Sequence, residues 1–173
     1  MDNKVDMSQL EDRFKVGGRF YVEAYRDGKL LFKELIQNMV VNTGLQKAID
    51  DTLLNGSQSA NWYVGLLGNA TPLAGWTMTE AGANEFTDYD NSATRPAWSG
   101  ARTAQTASNV LAKAQFTIDT DSSDIYGAFL STNNVKGGTT GTLFSAGLFA
   151  AARTGLMDND DVYITYEVEA QST

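Results

Sequence analysis

The dipeptide Asp27-Gly28 lies between two strand-like runs, RFYVEAYR (19–26) and KLLFKELI (29–36). Asp-Gly favours the type I′ turn, whose twist matches that of paired strands, so this segment predicts a β-hairpin. Phe20, Val22 and Ala24 share one face of the first run; Tyr21, Glu23 and Tyr25 share the other. The same grammar recurs along the chain. MVV (39–41) reads as a short strand, Trp62–Leu67 as a mostly apolar one, and Val110–Ile118 as an alternating one. Ile125–Leu130, Thr142–Ala152 and a last strand with Val162, Ile164, Tyr166 and Val168 on one face follow, separated by Asp- and Gly-rich turns.

Only residues 44–55 read as a full helix. Thr43 is the expected N-cap with Gln46 completing a capping box, and Asn55-Gly56 ends it. Leu45, Ala48, Ile49 and Leu53 form one apolar stripe, predicted to plug an end or a face of the β-structure. Roughly six to nine strands with short turns and one short helix predict an all-β fold, an antiparallel β-sandwich that is jelly-roll-like. No βαβ alternation is present, which disfavours a nucleotide-binding α/β fold.

Residues 1–16 are dense in charge and read as an N-terminal arm, leaving 17–173 as a single sandwich domain. Ser8 and Glu11 fit a capping box, Met7, Leu10 and Phe14 fall near one helical face, and Gly17-Gly18 would stop the helix. A short isolated helix is marginal in water. The arm is therefore either a frayed terminus or docked on a neighbouring subunit through Leu10 and Phe14.

Composition narrows the chemistry. The chain has no Cys and no His, which removes thiol nucleophiles, structural zinc sites and any Ser-His triad. The reading is of a non-enzyme with no cofactor, no metal and no catalytic residues. A net charge of −8 repels phosphate backbones, so nucleic acid is not an expected partner. No apolar run approaches the roughly 20 residues of a membrane span. The polar start does not read as a signal peptide, so synthesis and assembly are expected in the cytoplasm.

The tract Asn61–Trp98 stands apart. After its opening strand it runs on without clear periodicity, with only Thr79–Ala83 suggesting a helical turn. Yet it holds Trp76, Phe86, Tyr89, Arg95 and Trp98. Loops of this length are usually functional or disordered, and disorder is poor in aromatics. These five residues are candidates for a subunit interface, where Trp, Tyr and Arg are enriched, or for anchoring the loop on its own domain. A glycan platform on Trp76, Tyr89 and Trp98, with an acid pair among Glu80, Glu85, Asp88 and Asp90, is the sharper and weaker reading. The clusters DTDSSD (119–124) and DNDD (158–161) offer oxygen ligands for calcium but match no EF-hand loop, so solvated turns are expected. Gly137–Gly141 lacks the GK[ST] ending of a phosphate loop and reads as a turn between strands.

Taken together, the strings WYVGL (62–66), EFTDY with RPAW (85–98), and YGAFL with KGGTTGTL (126–143) resemble a set of small tailed-bacteriophage structural proteins. The resemblance covers about residues 17–168 and diagnoses a family more than a chemistry. It implies a capsid decoration or cement protein on the capsid exterior of the virion. Its partners would be the major capsid protein and copies of itself, as a homo-dimer or homo-trimer. The alternative is a tail or tail-fibre component that contacts a host surface glycan.

Overall fold

A computed structural model describes residues 14–59, 61–89 and 93–172, with the backbone alone at Phe14 and Ser172. The chain is an antiparallel β-sandwich, as expected. Sheet A holds β1 (Phe14–Arg26), β2 (Lys29–Gln37), β6 (Ala101–Thr103), β7 (Thr106–Ser108), β8 (Ala114–Thr117) and β11 (Asp161–Ser172). Its order is β2-β1-β11-β7-β6, and β8 pairs with the other half of the β11 edge. Sheet B runs β3 (Met39–Val40), β10 (Leu143–Leu156), β9 (Ser123–Ser131), β4 (Tyr63–Leu67), β5 (Glu85–Phe86). The helices are α1 (Asn42–Leu53) and α2 (Met78–Ala83).

Alternation decides which face is buried. Phe20, Val22 and Ala24 of β1, Ile36 of β2, and Val162, Ile164 and Tyr166 of β11 point between the sheets. They meet Val64, Leu66, Ile125 and Leu130 from sheet B. Aromatic rings pack within and across the layers: Phe20 and Tyr166, cross-strand neighbours in sheet A, lie 4.5 Å apart, Tyr89 meets Phe116 of β8 edge-on at 4.8 Å, and Phe32 of β2 meets Phe149 of β10 between the sheets at 6.3 Å.

Sheet B is covered on its outer face too. Leu67, Phe129, Leu143 and Ala146 form a second apolar cluster with Val41, Trp76, Met78 and Ala81. This explains the nearly unbroken apolar run of β4, since a strand buried on both faces does not alternate. Among the described residues sheet A has no comparable cover.

Three local expectations need correction. Gly17 and Gly18 do not end a helix but lie inside β1, where Gly18 leaves room for the Tyr166 hydroxyl that a Cβ would meet at 2.5 Å. Met7 and Leu10 lie outside the described residues. The Thr43–Gln46 capping box does not form at α1, whose N-cap is Val41, because the Thr43 hydroxyl donates to the Leu143 carbonyl at 2.7 Å. Only 114–117 of the 110–118 run is strand, and the short β6–β7 hairpin gave no signal strong enough to predict it.

Candidate interaction surface

The aromatic tract is turned inward. Tyr89 and Arg95 are buried, Phe86 and Trp76 nearly so, and Trp98 is half-buried. This corrects the interface assignment of Trp76, Phe86, Tyr89, Arg95 and Trp98: these side chains are consumed by their own domain. Leu10 lies outside the described residues, and at Phe14 only the backbone is described, as the start of β1.

Local chemistry explains how a long segment is held. Thr77 and Glu80 form the capping box of α2, with both the Thr77 N–H and its hydroxyl donating to Glu80 Oε2 at 2.7 Å. The hydroxyl bond, then the backbone one, hold the Glu80 carboxyl below its ordinary pKa. Glu85 and Arg95 form a fully buried, bidentate pair, with Nε to Oε1 at 2.8 Å and Nη2 to Oε2 at 2.7 Å. Arg95 also donates to the Asn133 and Gly138 carbonyls, and the Gly137 N–H donates to Glu85 Oε2. The guanidinium lies 5.1 Å above the Phe129 ring. This node joins the EFTDY, RPAW and KGGTTG strings through Glu85, Arg95, Gly137 and Gly138. The Trp98 indole N–H donates to the Tyr166 carbonyl at 3.0 Å. Glu80 and Glu85 therefore serve a cap and an ion pair, which leaves neither poised as half of a catalytic acid pair.

The acidic turns are likewise engaged in the fold. Asp160 accepts from Arg26 through both oxygens, at 2.8 and 2.7 Å, and from the Met157 N–H. These contacts, the Arg26 hydrogen bond first, hold its carboxyl below the ordinary range. Asp121 accepts from the Asp158 N–H and Asp124 from the Gly155 N–H. Among the described residues no three metal-ligating side chains converge on a common point, and no helix is long and apolar enough to cross a membrane.

What remains available is the outer face of sheet A. Tyr21, Leu30, Leu31 and Leu35 are exposed there, and Tyr25 packs edge-on against Tyr163. A concavity of about 510 Å³ is lined by Tyr21, Thr103, Thr106, Val110, Leu111 and Lys113, among others. Its rim is rigid. Asn109 is buried and donates to the Ile164 and Ala112 carbonyls, while its Oδ1 accepts from the Tyr166 N–H at 2.7 Å. That anchor holds Leu111 out at 92% exposure. The outer face of an antiparallel sheet is ordinarily polar, and Tyr21 and Leu35 are apolar exceptions among the charged side chains of this one. The period-2 pattern of β1 and β2 carried this signal; reading it needed knowledge of which face stays uncovered.

No protein-family model matches the chain, and no curated protein sequence matches it.

Proposed function

We propose that this chain is a structural subunit of a tailed-phage virion, a decoration or cement protein that binds the outside of the major capsid shell. The observation that carries the reading is the exposed outer face of sheet A, with Tyr21 and the Leu111 tip around its concavity and Leu35 beside Tyr21 on the neighbouring strand. Aromatic anchors beside a preformed hollow are what a protein contact uses. The family resemblance supplies the partner. A shell offers many equivalent positions, so modest contacts add through multivalency. A stiff sandwich whose long tract is locked by the Glu85–Arg95 node suits a part that must hold its shape on a surface.

Co-sedimentation of purified protein with shells lacking it tests the reading. Saturable binding in hundreds of copies is expected, with loss in a Leu111→Asp, Leu35→Asp variant that keeps its fold. Absence of wild-type binding, or a virion copy number of a few to a few dozen, overturns the decoration role.

A further inference from the structure

Asn55-Gly56 is the one Asn-Gly dipeptide of the chain, and it stands where α1 ends. Asn55 is exposed and left-handed, with φ 56°. Asparagine tolerates that conformation better than most residues, which explains its use as a helix stop. The same dipeptide carries a reactive chemistry. The next backbone nitrogen can close a five-membered ring on the side-chain amide carbon, and glycine puts no side chain in the way.

The fold holds that nitrogen back. The Gly56 N–H donates to the Asp50 carbonyl at 2.8 Å, and the Leu54 N–H donates to the same oxygen at 3.2 Å. Lys47 pairs with Asp51 and also donates to the Ser57 carbonyl at 2.7 Å, a strap past the dipeptide. The two ends of α1 are held unequally. At its start Thr43 is bonded to Leu143, and a Cβ at Gly44 would collide with the Phe144 carbonyl. At its end Leu53 and Leu54 are 75% and 69% exposed, so hydrogen bonds rather than packing close the last turn.

We infer that Asn55 is a self-modification site, a deamidation gated by the cap of α1. When the cap opens, the Gly56 nitrogen gives up its proton and bonds to Asn55 Cγ. The bond from Cγ to the side-chain nitrogen breaks, and ammonia leaves with that proton, carried through solvent. Water then opens the succinimide at either carbonyl, giving aspartate or isoaspartate. One water is consumed, one ammonia is released, and nothing is oxidised or reduced. The product acts back on the gate. It places a carboxylate at a helix C-terminus, where the dipole disfavours it, beside Asp50 and Asp51 and with no basic residue in the last turn. Isoaspartate also lengthens the backbone by a methylene. Conversion therefore loosens the turn that restrained it. The inference does not depend on where the protein acts.

Peptide-mapped mass spectrometry of the full chain tests it, after incubation at mildly alkaline pH with and without guanidinium chloride. Asn55 should convert from amide to acid about tenfold or more slower in the folded chain, because attack waits on local opening. Lys47→Ala removes the strap and should raise the folded-state rate about threefold or more, with an unchanged circular dichroism spectrum. Asn55→Asp, the product itself, should cut hydrogen-exchange protection of the Leu54 and Gly56 amides about threefold or more. Equal rates with and without denaturant overturn the gate, as does Lys47→Ala that converts like wild type. An Asn55 that stays an amide in denaturant overturns the site. Unchanged protection in Asn55→Asp overturns the action of product on cap.

Discussion

The aromatic tract 68–98 and helix α1 exchange the roles their sequences suggest. The tract has no clear periodicity and reads as a surface for a partner, yet its rings fill the domain's own core. Helix α1 has a clean apolar stripe and reads as a plug, yet the stripe faces solvent. The difference lies in what each segment does with its polar groups. The tract satisfies its own: a capping box, a buried ion pair and three isolated β-bridges at Tyr63–Ala97, Tyr89–Ile118 and Thr94–Val135 hold it to the sheets. Helix α1 is keyed to the sheet by Gly44 and Thr43, and those contacts fix the stripe outward. Apolar content sets how much surface must find a partner. Steric and hydrogen-bond keys set which way it points.

The largest expected effect lies in the tract. Arg95→Ala should cost about 3–5 kcal/mol in denaturant unfolding, because it leaves Glu85 buried without its counter-ion. The paired replacement Glu85→Leu, Arg95→Met should recover much of that, and failure to recover would mean that the carbonyl bonds to Asn133 and Gly138 matter more than the pair. Next comes the key of α1. Gly44→Ala should cost about 1–3 kcal/mol as the helix is pushed off β10, with helix amides losing hydrogen-exchange protection first.

Two titrations sharpen the contrast at intermediate size. Burial pushes the Tyr166 hydroxyl up to about 12, and Asn38 Nδ2 donates to it. An unfolded tyrosine ionises near 10, so this contribution is fully present below about pH 10 and is lost as pH rises toward the folded value. Tyr166→Phe should flatten that alkaline limb while costing about 1–3 kcal/mol at neutral pH through the stranded Asn38. Asp160 has the opposite sign. Its folded pKa is depressed, so its stabilisation is present above the unfolded value of about 3.9 and is lost as pH falls through the folded one. Asp160→Asn should flatten thermal stability against pH below about 4. The smallest effect is expected on α1's open face: Leu53→Gln should move monomer stability by no more than about 0.5 kcal/mol. A large loss there would show the stripe packing within its own domain.

Much of the architecture was legible. The Asp27-Gly28 hairpin, the β4 and β9 strands, and the alternation of Val162, Ile164, Tyr166 and Val168 follow from turn chemistry and period-2 burial, both short-range. The helical turn at 79–83 was also readable, although its true N-cap, Thr77, stood two residues before the segment predicted. What stayed illegible is long-range. The Glu85–Arg95 pair is completed by carbonyls of Asn133 and Gly138, 38 and 43 residues after Arg95, and no local pattern announces it.

By itself the sequence determined the material: a cysteine- and histidine-free acidic chain, strands with tight turns, one full-length helix, and an ordered aromatic tract. Tertiary structure alone decided direction. It chose sheet B to be covered by the tract, left sheet A open among the described residues, and turned α1's leucines outward. Periodicity defines faces only relative to the element itself; which face meets a core depends on steric and hydrogen-bond partners far away in the chain.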